Sequence, residues 1–253
     1  MRALLLGAGN MGRAIGAALV ARGDTVVATL GRDVARTDVM ELRPVDVAFD
    51  FTHADAVLGS GRVAAAAGAR VLVTGTSGWA GEQATRDELR EVAAEHGVRA
   101  IVRPTFSVAT VLFTSLAVEA ARRFGRFADF DPYVFEHHRR TKPDRPSGTA
   151  LAIADAMLPY LRSKRRARLP DGQGAPDPET LEVVAIRAGA SPGMHVVGFD
   201  APGESIELRV TARDRSAYVA GALLAADVAL ADPDLPPGLT SFAELLERTA
   251  THD

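Results

Sequence analysis

Apolar and polar positions change period along this chain, and the changes outline its fold. Residues 2–6 (R-A-L-L-L) form a short apolar run ending in G-A-G-N-M-G, after which Met11, Ile15, Ala18 and Leu19 recur at helical spacing. Strand-like runs follow at 25–30 (T-V-V-A-T-L), 45–51 (V-D-V-A-F-D-F), 70–74 (R-V-L-V-T) and 99–103, with helical patterns over 55–67 and 82–95. Strands alternating with helices at this rhythm imply a parallel sheet covered on both faces.

Past residue 107 the rhythm is different. The spacing predicts an apolar helix over 107–124, a strand over 132–138, and a helix over 148–162 opened by Ser147, a good N-cap. Strands are predicted at 179–187, 194–199 and 204–212, with turns at Gly189–Gly193 and Pro202-Gly203, and helices at 216–231 and 241–249. The expected fold class is α/β: an N-terminal Rossmann-like doubly wound parallel sheet plus a C-terminal α+β domain with a mixed, open-faced sheet, built mostly of hairpins. Residues 1–106 are expected to be the dinucleotide-binding domain and 107–215 the substrate-binding and oligomerisation domain, with the helices of 216–253 packing back on the first. Exposed strand edges must be covered, which predicts a homo-oligomer. The basic run 163–169 (S-K-R-R-A-R-L) reads as a solvated helix end and loop.

Composition narrows the function classes. A length of 253 residues with 47% hydrophobic and 24% charged residues describes an ordinary globular protein. A net charge of -3 provides no basic field, so no nucleic-acid partner is expected. The absence of cysteine excludes thiol nucleophiles, disulfides and zinc-thiolate sites, and fits a reducing cytoplasm. The opening M-R-A-L-L-L imitates a signal peptide only until Gly7, and the apolar tract at 217–230 is too short for a membrane span and contains Asp227.

The chemistry concentrates in residues 136–150, E-H-H-R-R-T-K-P-D-R-P-S-G-T-A. A helix N-terminus offers free N–H groups and a positive dipole end, so it binds anions. Gly148 lets an anion approach the backbone, and Thr149 adds a hydroxyl. Lys142 is one of two lysines, with Lys164, in a chain that otherwise uses arginine, as suits a residue kept for a transferable proton. The segment suits a small acidic substrate that must be protonated. The bland alternative is a solvated basic turn before an ordinary capped helix.

Gly7, Gly9 and Gly12 fit G-x-G-x-x-G between a strand and a helix, which with Ala8, Asn10 and Met11 makes a pyrophosphate loop. The second strand ends in Gly31-Arg32-Asp33; Arg32 favours the 2′-phosphate of NADPH, while Asp33 keeps NADH open. Thr52, Gly75, Thr76, Ser77, Thr105 and Ser107 lie at the C-terminal strand ends, the edge where such sheets bind ligands.

G-A-G-N-M-G, D-F-T (50–52), G-T-S-G-W (75–79), P-T-F-S (104–107), the 136–150 block and G-M-H-V-V-x-F…G-E (193–204) come in an order that resembles the 4-hydroxy-tetrahydrodipicolinate (dihydrodipicolinate) reductase family. The resemblance spans nearly the whole chain and is similar to the compact branch of that family. It implies hydride transfer from NADPH or NADH to a small dicarboxylic cyclic imine, with protonation and loss of water, in the diaminopimelate–lysine pathway, by a homotetramer. It also implies that His138 is the active-site histidine, Lys142 the proton donor, and Gly148 and Thr149 the carboxylate holders. Gly75, Thr76 and Ser77 would form a cofactor turn, and Arg103, Pro104, Thr105 and Phe106 would lie beside the nicotinamide. Four departures stand out. Arg139 replaces the family's second histidine and can bind a carboxylate but not give up a proton; Thr105 replaces an asparagine, Arg145 an alanine, and Val210 a histidine.

Two alternatives follow: reduction of a related cyclic imino acid, or a non-catalytic NAD(P)-binding regulator. A metal-dependent hydrolase built on His137, His138 and His195 is disfavoured, because adjacent strand residues point to opposite faces, and no metal is expected. His195 reads as a half-exposed strand histidine, His53, His96 and His252 as surface residues, and Trp79 as packing at the sheet end.

Overall fold

Short apolar runs become strands in a computed structural model that describes residues 1–31, 38–76, 78–79, 82–103, 105–170 and 174–250. Strands β1 (Arg2–Leu6), β2 (Thr25–Leu30), β3 (Val47–Asp50), β4 (Val71–Thr74) and β5 (Arg99–Val102) pair in parallel in the order β5-β4-β3-β1-β2. Every residue of β3 and β4 is buried, which is why these runs show no polar alternation. Helices α1 (Asn10–Ala21), α2 (Val57–Ala66) and α3 (Gln83–Glu95) connect the strands, α1 burying Ile15 and Leu19 and α3 burying Leu89 and Ala93. Trp79 packs with Leu72, Leu89 and Val102 in this core. The strand order reverses between β1 and β3, and a sheet of this kind opens its ligand crevice at that reversal, beyond the strand C-termini.

The second unit runs from Val108 to Arg215. It comprises α4 (Val108–Phe124), β6 (Asp131–His138), α5 (Gly148–Met157), β7 (Arg166–Arg168), β8 (Thr180–Arg187), β9 (Met194–Ala201) and β10 (Glu204–Thr211). The strand order is β10-β9-β6-β8-β7. Among the described residues only β9 and β10 form a hairpin; β6 pairs β9 antiparallel and β8 parallel, so the expectation of a hairpin-built sheet is corrected to one held by crossovers. Phe113 and Ala117 of α4 and Ile153 and Met157 of α5 cover one face, meeting Val134, Val183, Val197 and Phe199. The other face carries Tyr133, Phe135, Val184 and the exposed Ile186, and among the described residues no helix of this unit covers it.

Two expectations fail locally. The basic run is not solvated throughout: Lys164 is buried, 2.5 Å from Asp131 and 3.0 Å from the Pro178 carbonyl, and Arg166–Arg168 pair with β8 as an edge strand. A lysine stem can be buried once its ammonium is paired, and charge alone hides this from a sequence pattern. The helix expected to reach 162 ends at Met157 and continues as one tighter turn containing Pro159.

The chain then returns to the first unit, which comprises Met1–Ser107 and Ser216–Asp253. Helix α6 (Ser216–Ala231) is joined to the end of α1 by the Arg22 guanidinium, which meets both oxygens of Asp227 at 2.6 and 3.0 Å. Strand β11 (Gly238–Ser241), absent from the sequence-based expectations, pairs beside β5 as a sixth parallel strand, and α7 (Phe242–Ala250) follows. Among the described residues no helix is long and apolar enough to cross a membrane.

The turn after β1 is sterically exacting. A Cβ built on Gly12 would lie 1.9 Å from the Gly7 carbonyl oxygen, so α1 can start this close to the strand only with glycine there. Gly12→Ala should therefore push α1 away from β1 and destabilise the first unit by about 1–3 kcal/mol. Chemical denaturation checks this, and an unchanged midpoint would show that the loop relaxes without strain.

Candidate active site

Each unit contributes its own set of functional positions. In the first, Gly7 adopts φ +105°, and α1 starts after Gly9 with no side-chain cap and no acidic residue in its first turn. The N–H groups of this helix start are thus left for an anion. Ala8, Gly9 and Asn10 are exposed, Met11 is half-buried, and Arg13 lies across the loop, donating to the Ala8 carbonyl (2.8 Å) and Asn10 Oδ1 (2.7 Å). An open glycine cradle, uncapped amides and one arginine fit the pyrophosphate of a nicotinamide dinucleotide.

Further along the same sheet edge, the Thr52 N–H donates to Thr76 Oγ1 at 3.0 Å, and Trp79 Nε1 donates to the Thr76 carbonyl at 2.8 Å. Gly75 sits against Phe51, whose ring a Cβ would meet at 2.2 Å. The Arg103 N–H donates to the Thr74 carbonyl at 3.2 Å, and burial lowers its guanidinium pKa. Thr105 is half-buried, whereas Phe106 is buried against Phe242 at 4.9 Å between ring centroids and its carbonyl packs on Gly221, so Phe106 is core. Arg32, Ser77 and Pro104 lie outside the described residues.

In the second unit the period-2 alternation of β6 places Glu136 and His138 on the covered face and His137 on the other. Glu136 is wholly buried. Its Oε1 accepts from Arg187 Nη2 (2.6 Å) and the Ser147 N–H (2.7 Å), and its Oε2 accepts from the Ser147 hydroxyl. His138 Nδ1 and His195 Nε2 lie 3.3 and 3.4 Å from the same Oε2, with the two rings edge to face at 5.2 Å. Burial raises the Glu136 pKa, but His138, His195, Ser147 and Arg187 together hold it far below the usual carboxylate range. His195 is buried, not half-exposed as the sequence suggested, because β9 registers it directly opposite Glu136.

Ser147 links this network to the helix. Its hydroxyl accepts from the Ala150 N–H at 3.1 Å as the N-cap of α5 while donating to Glu136. Gly148 is exposed with open space about its Cβ position, and Thr149 is half-buried. Lys142 Nζ lies 2.7 Å from Asp144 Oδ1. Burial raises the Asp144 pKa, but the Lys142 hydrogen bond and charge, with the backbone of Asp144 and Gly148, bring it below its ordinary value. The ammonium and the α5 start therefore face one carboxylate. Arg139 is exposed, with Nε 3.2 Å from Thr141 Oγ1, and its N–H donates to the Ser191 carbonyl at 2.8 Å.

The family profile "Dihydrodipicolinate reductase, C-terminus" matches residues 109–246. A 4-hydroxy-tetrahydrodipicolinate reductase from Methanosarcina mazei is 32% identical over 82% of this chain and 75% of its own length. The chain belongs to the dihydrodipicolinate reductase family. A Synechococcus elongatus reductase of the same name is 34% identical over 72% of this chain and 66% of its own length. Two solved structures share the fold. A dipicolinate-bound dihydrodipicolinate reductase from Paenisporosarcina sp. TG-14 gives a TM-score of 0.72 at 21% identity, covering 95% of this chain and 97% of the other. A C. glutamicum DAP dehydrogenase in complex with DAP gives 0.56 at 17% identity, covering 100% and 99%.

Membership of this reductase family makes the chain a nicotinamide-dependent oxidoreductase. The sequence reading picked out His138 but not the residues that hold it, namely Glu136, Arg187 and His195. The i, i+2 spacing of Glu136 and His138 on a strand was the available signal; Arg187 left none, because its contact spans 51 residues. Glu136, His138 and His195 converge with their ligand atoms within 4.8 Å of one another, the grouping of a metal shell. The donor set argues otherwise. Glu136 already accepts from a guanidinium, a backbone amide and a hydroxyl, so a divalent ion would be held beside a buried cation.

Glu136→Gln leaves Arg187 buried without its anion and should cost about 3–5 kcal/mol of unfolding free energy. Because the folded pKa is depressed, the ionised Glu136 contributes fully above the ordinary glutamate value of about 4.3 and loses that contribution only as pH falls through its lower folded value. The stability gap between wild type and variant should accordingly stay level from neutrality down to about pH 5 and narrow only in stronger acid. Denaturation at a series of pH values measures it, and a gap that closes near neutral pH contradicts the assignment.

Proposed function

We propose that this chain reduces 4-hydroxy-tetrahydrodipicolinate to tetrahydrodipicolinate with NADPH or NADH, in the diaminopimelate/lysine pathway. The observation that carries the reading is the convergence of Lys142 and the open, Ser147-capped start of α5 on a single carboxylate, that of Asp144. A substrate carboxylate has the same chemistry and would be met by Lys142, the Gly148 and Thr149 N–H groups, the Thr149 hydroxyl and the positive helix end. Bound NADPH or NADH supplies the hydride.

The remaining steps fall to side chains. Lys142 delivers the proton, and hydride and proton together release the ring hydroxyl as water. His138 lies with Nδ1 3.3 Å from Glu136 Oε2, and its Nε2 would be the nitrogen that meets the substrate. Arg139, exposed at the edge of the segment, offers a bidentate partner to a second carboxylate. For the cofactor, Arg32 supports NADPH through the 2′-phosphate. The open face of the β10-β9-β6-β8-β7 sheet, with Phe135, Val184 and Ile186 side by side, supports assembly into a homotetramer.

Mixed with substrate generated from pyruvate and aspartate semialdehyde by the preceding synthase, the protein should oxidise NADPH or NADH, followed at 340 nm. Lys142→Ala should lower kcat by about 10²–10⁴-fold while cofactor binding persists. Cofactor binding without oxidation would move the assignment to a related cyclic imino acid, with Arg139 as the discriminating residue. Full turnover by the variant would remove Lys142 from the acid role. Sedimentation equilibrium should return four times the chain mass; a monomer would show that the open face is not an interface.

A further inference from the structure

Asp50, the last residue of β3, is completely buried and takes no part in the chemistry above. Its carboxylate accepts four hydroxyl hydrogen bonds. Thr52 Oγ1 (2.6 Å) and Ser60 Oγ (2.9 Å) donate to Oδ1, and Thr74 Oγ1 (2.6 Å) and Thr76 Oγ1 (3.0 Å) donate to Oδ2. Two carboxylate oxygens offer about four acceptor positions, so these donors fill it. None of the four is a cation. The donors come from the turn after β3, from α2, from the end of β4 and from the turn after β4.

The direction of the bonds matters. Thr76 Oγ1 also accepts the Thr52 N–H at 3.0 Å, so its single proton is committed to Asp50. Thr52 N–H, the Thr76 hydroxyl and the Asp50 carboxylate form a one-way chain that sets the spacing of the two turns. Trp79 Nε1 grips the far side of the same turn at the Thr76 carbonyl, and Phe51 closes against Gly75. The edge at the C-terminal ends of β3 and β4, next to the β1–β3 reversal, is thus built around one buried carboxylate.

We propose that Asp50 is a positioning residue for cofactor binding, acting through Thr52 and the Gly75-Thr76 turn and touching neither cofactor nor substrate. This rests on reading that edge as the nicotinamide dinucleotide site. Asn in its place keeps the shape but presents an N–H₂ group to two of the four hydroxyls, so it cannot accept from all of them.

Trp79 is the only tryptophan and bonds the turn in question, so its fluorescence reports binding there. Titration of NADPH and NADH into Asp50→Asn should raise Kd about tenfold or more, with KM for the cofactor rising in step and kcat at saturation changing far less. Thr74→Val, which removes one donor at the end of β4 without changing side-chain size, should raise Kd in the same direction. Ser60→Ala removes the donor on α2 and should lower the melting temperature with Kd unchanged. Wild-type Kd in both Asp50→Asn and Thr74→Val overturns the proposal and leaves Asp50 a stability residue; if Asp50→Asn does not fold, Thr74→Val alone decides. Failure of the wild-type protein to bind either cofactor would instead overturn the reading of the edge itself.

Discussion

The second unit depends on the burial of one ion. Glu136 is removed from water in the middle of a five-stranded sheet, where an unpaired carboxylate is far too costly to persist. Arg187 supplies the counter-charge from the neighbouring strand, Ser147 supplies an amide and a hydroxyl from the start of α5, and two histidines close on the remaining oxygen. Strand β6, strand β8, strand β9 and helix α5 all depend on that carboxylate. Their mutual register therefore fixes two features of the candidate site together, the orientation of the His138 ring and the position of the α5 N-terminus.

The first unit applies the same principle in a different form. Asp50 is as deeply buried as Glu136, yet hydroxyls alone satisfy it, and it joins turns where Glu136 joins strands and a helix. The difference suits what each surrounds. A guanidinium neutralises a carboxylate that lies beside two buried histidines. Hydroxyls hold a carboxylate at a sheet edge where glycines, not charges, shape the surface. In both units a buried anion converts separate chain segments into one rigid ligand-facing edge.

What could be read in the sequence, and what could not, follows from range. The parallel strands were legible because burial on both faces makes runs such as V-L-V-T uniformly apolar, and the G-x-G-x-x-G loop because its steric demands lie within six residues. Strand β11 was not legible, since G-L-T-S has no strand character of its own and exists by pairing with the edge of β5. Lys164 looked solvated because pattern reading assigns every lysine to water until its partner, here Asp131, is known. His195 and Arg187 are functional neighbours of His138 only through the pairing of β6 with β9 and β8. Glu136 is the instructive case: two residues from His138 on a strand, it shared a face by geometry alone, yet the cationic residues around it drew the reading toward charge and away from alternation.

The Lys142–Asp144 pair raises a chemical objection that its environment answers. The Lys142 ammonium that the proposed reaction needs free sits 2.7 Å from the Asp144 carboxylate. The Asp144 side chain, however, is 47% exposed and that of Lys142 is 22% exposed, so the pair contributes at most about 1 kcal/mol. Breaking it costs little. Under the proposed function, a substrate carboxylate would meet the α5 N–H groups and the positive helix end in Asp144's place. In the proposed reaction Lys142 would then leave Asp144 and face the substrate instead. Ser147 couples the buried network to the helix start, so such an exchange would leave Glu136 and its partners in place and break only the exposed Lys142–Asp144 pair.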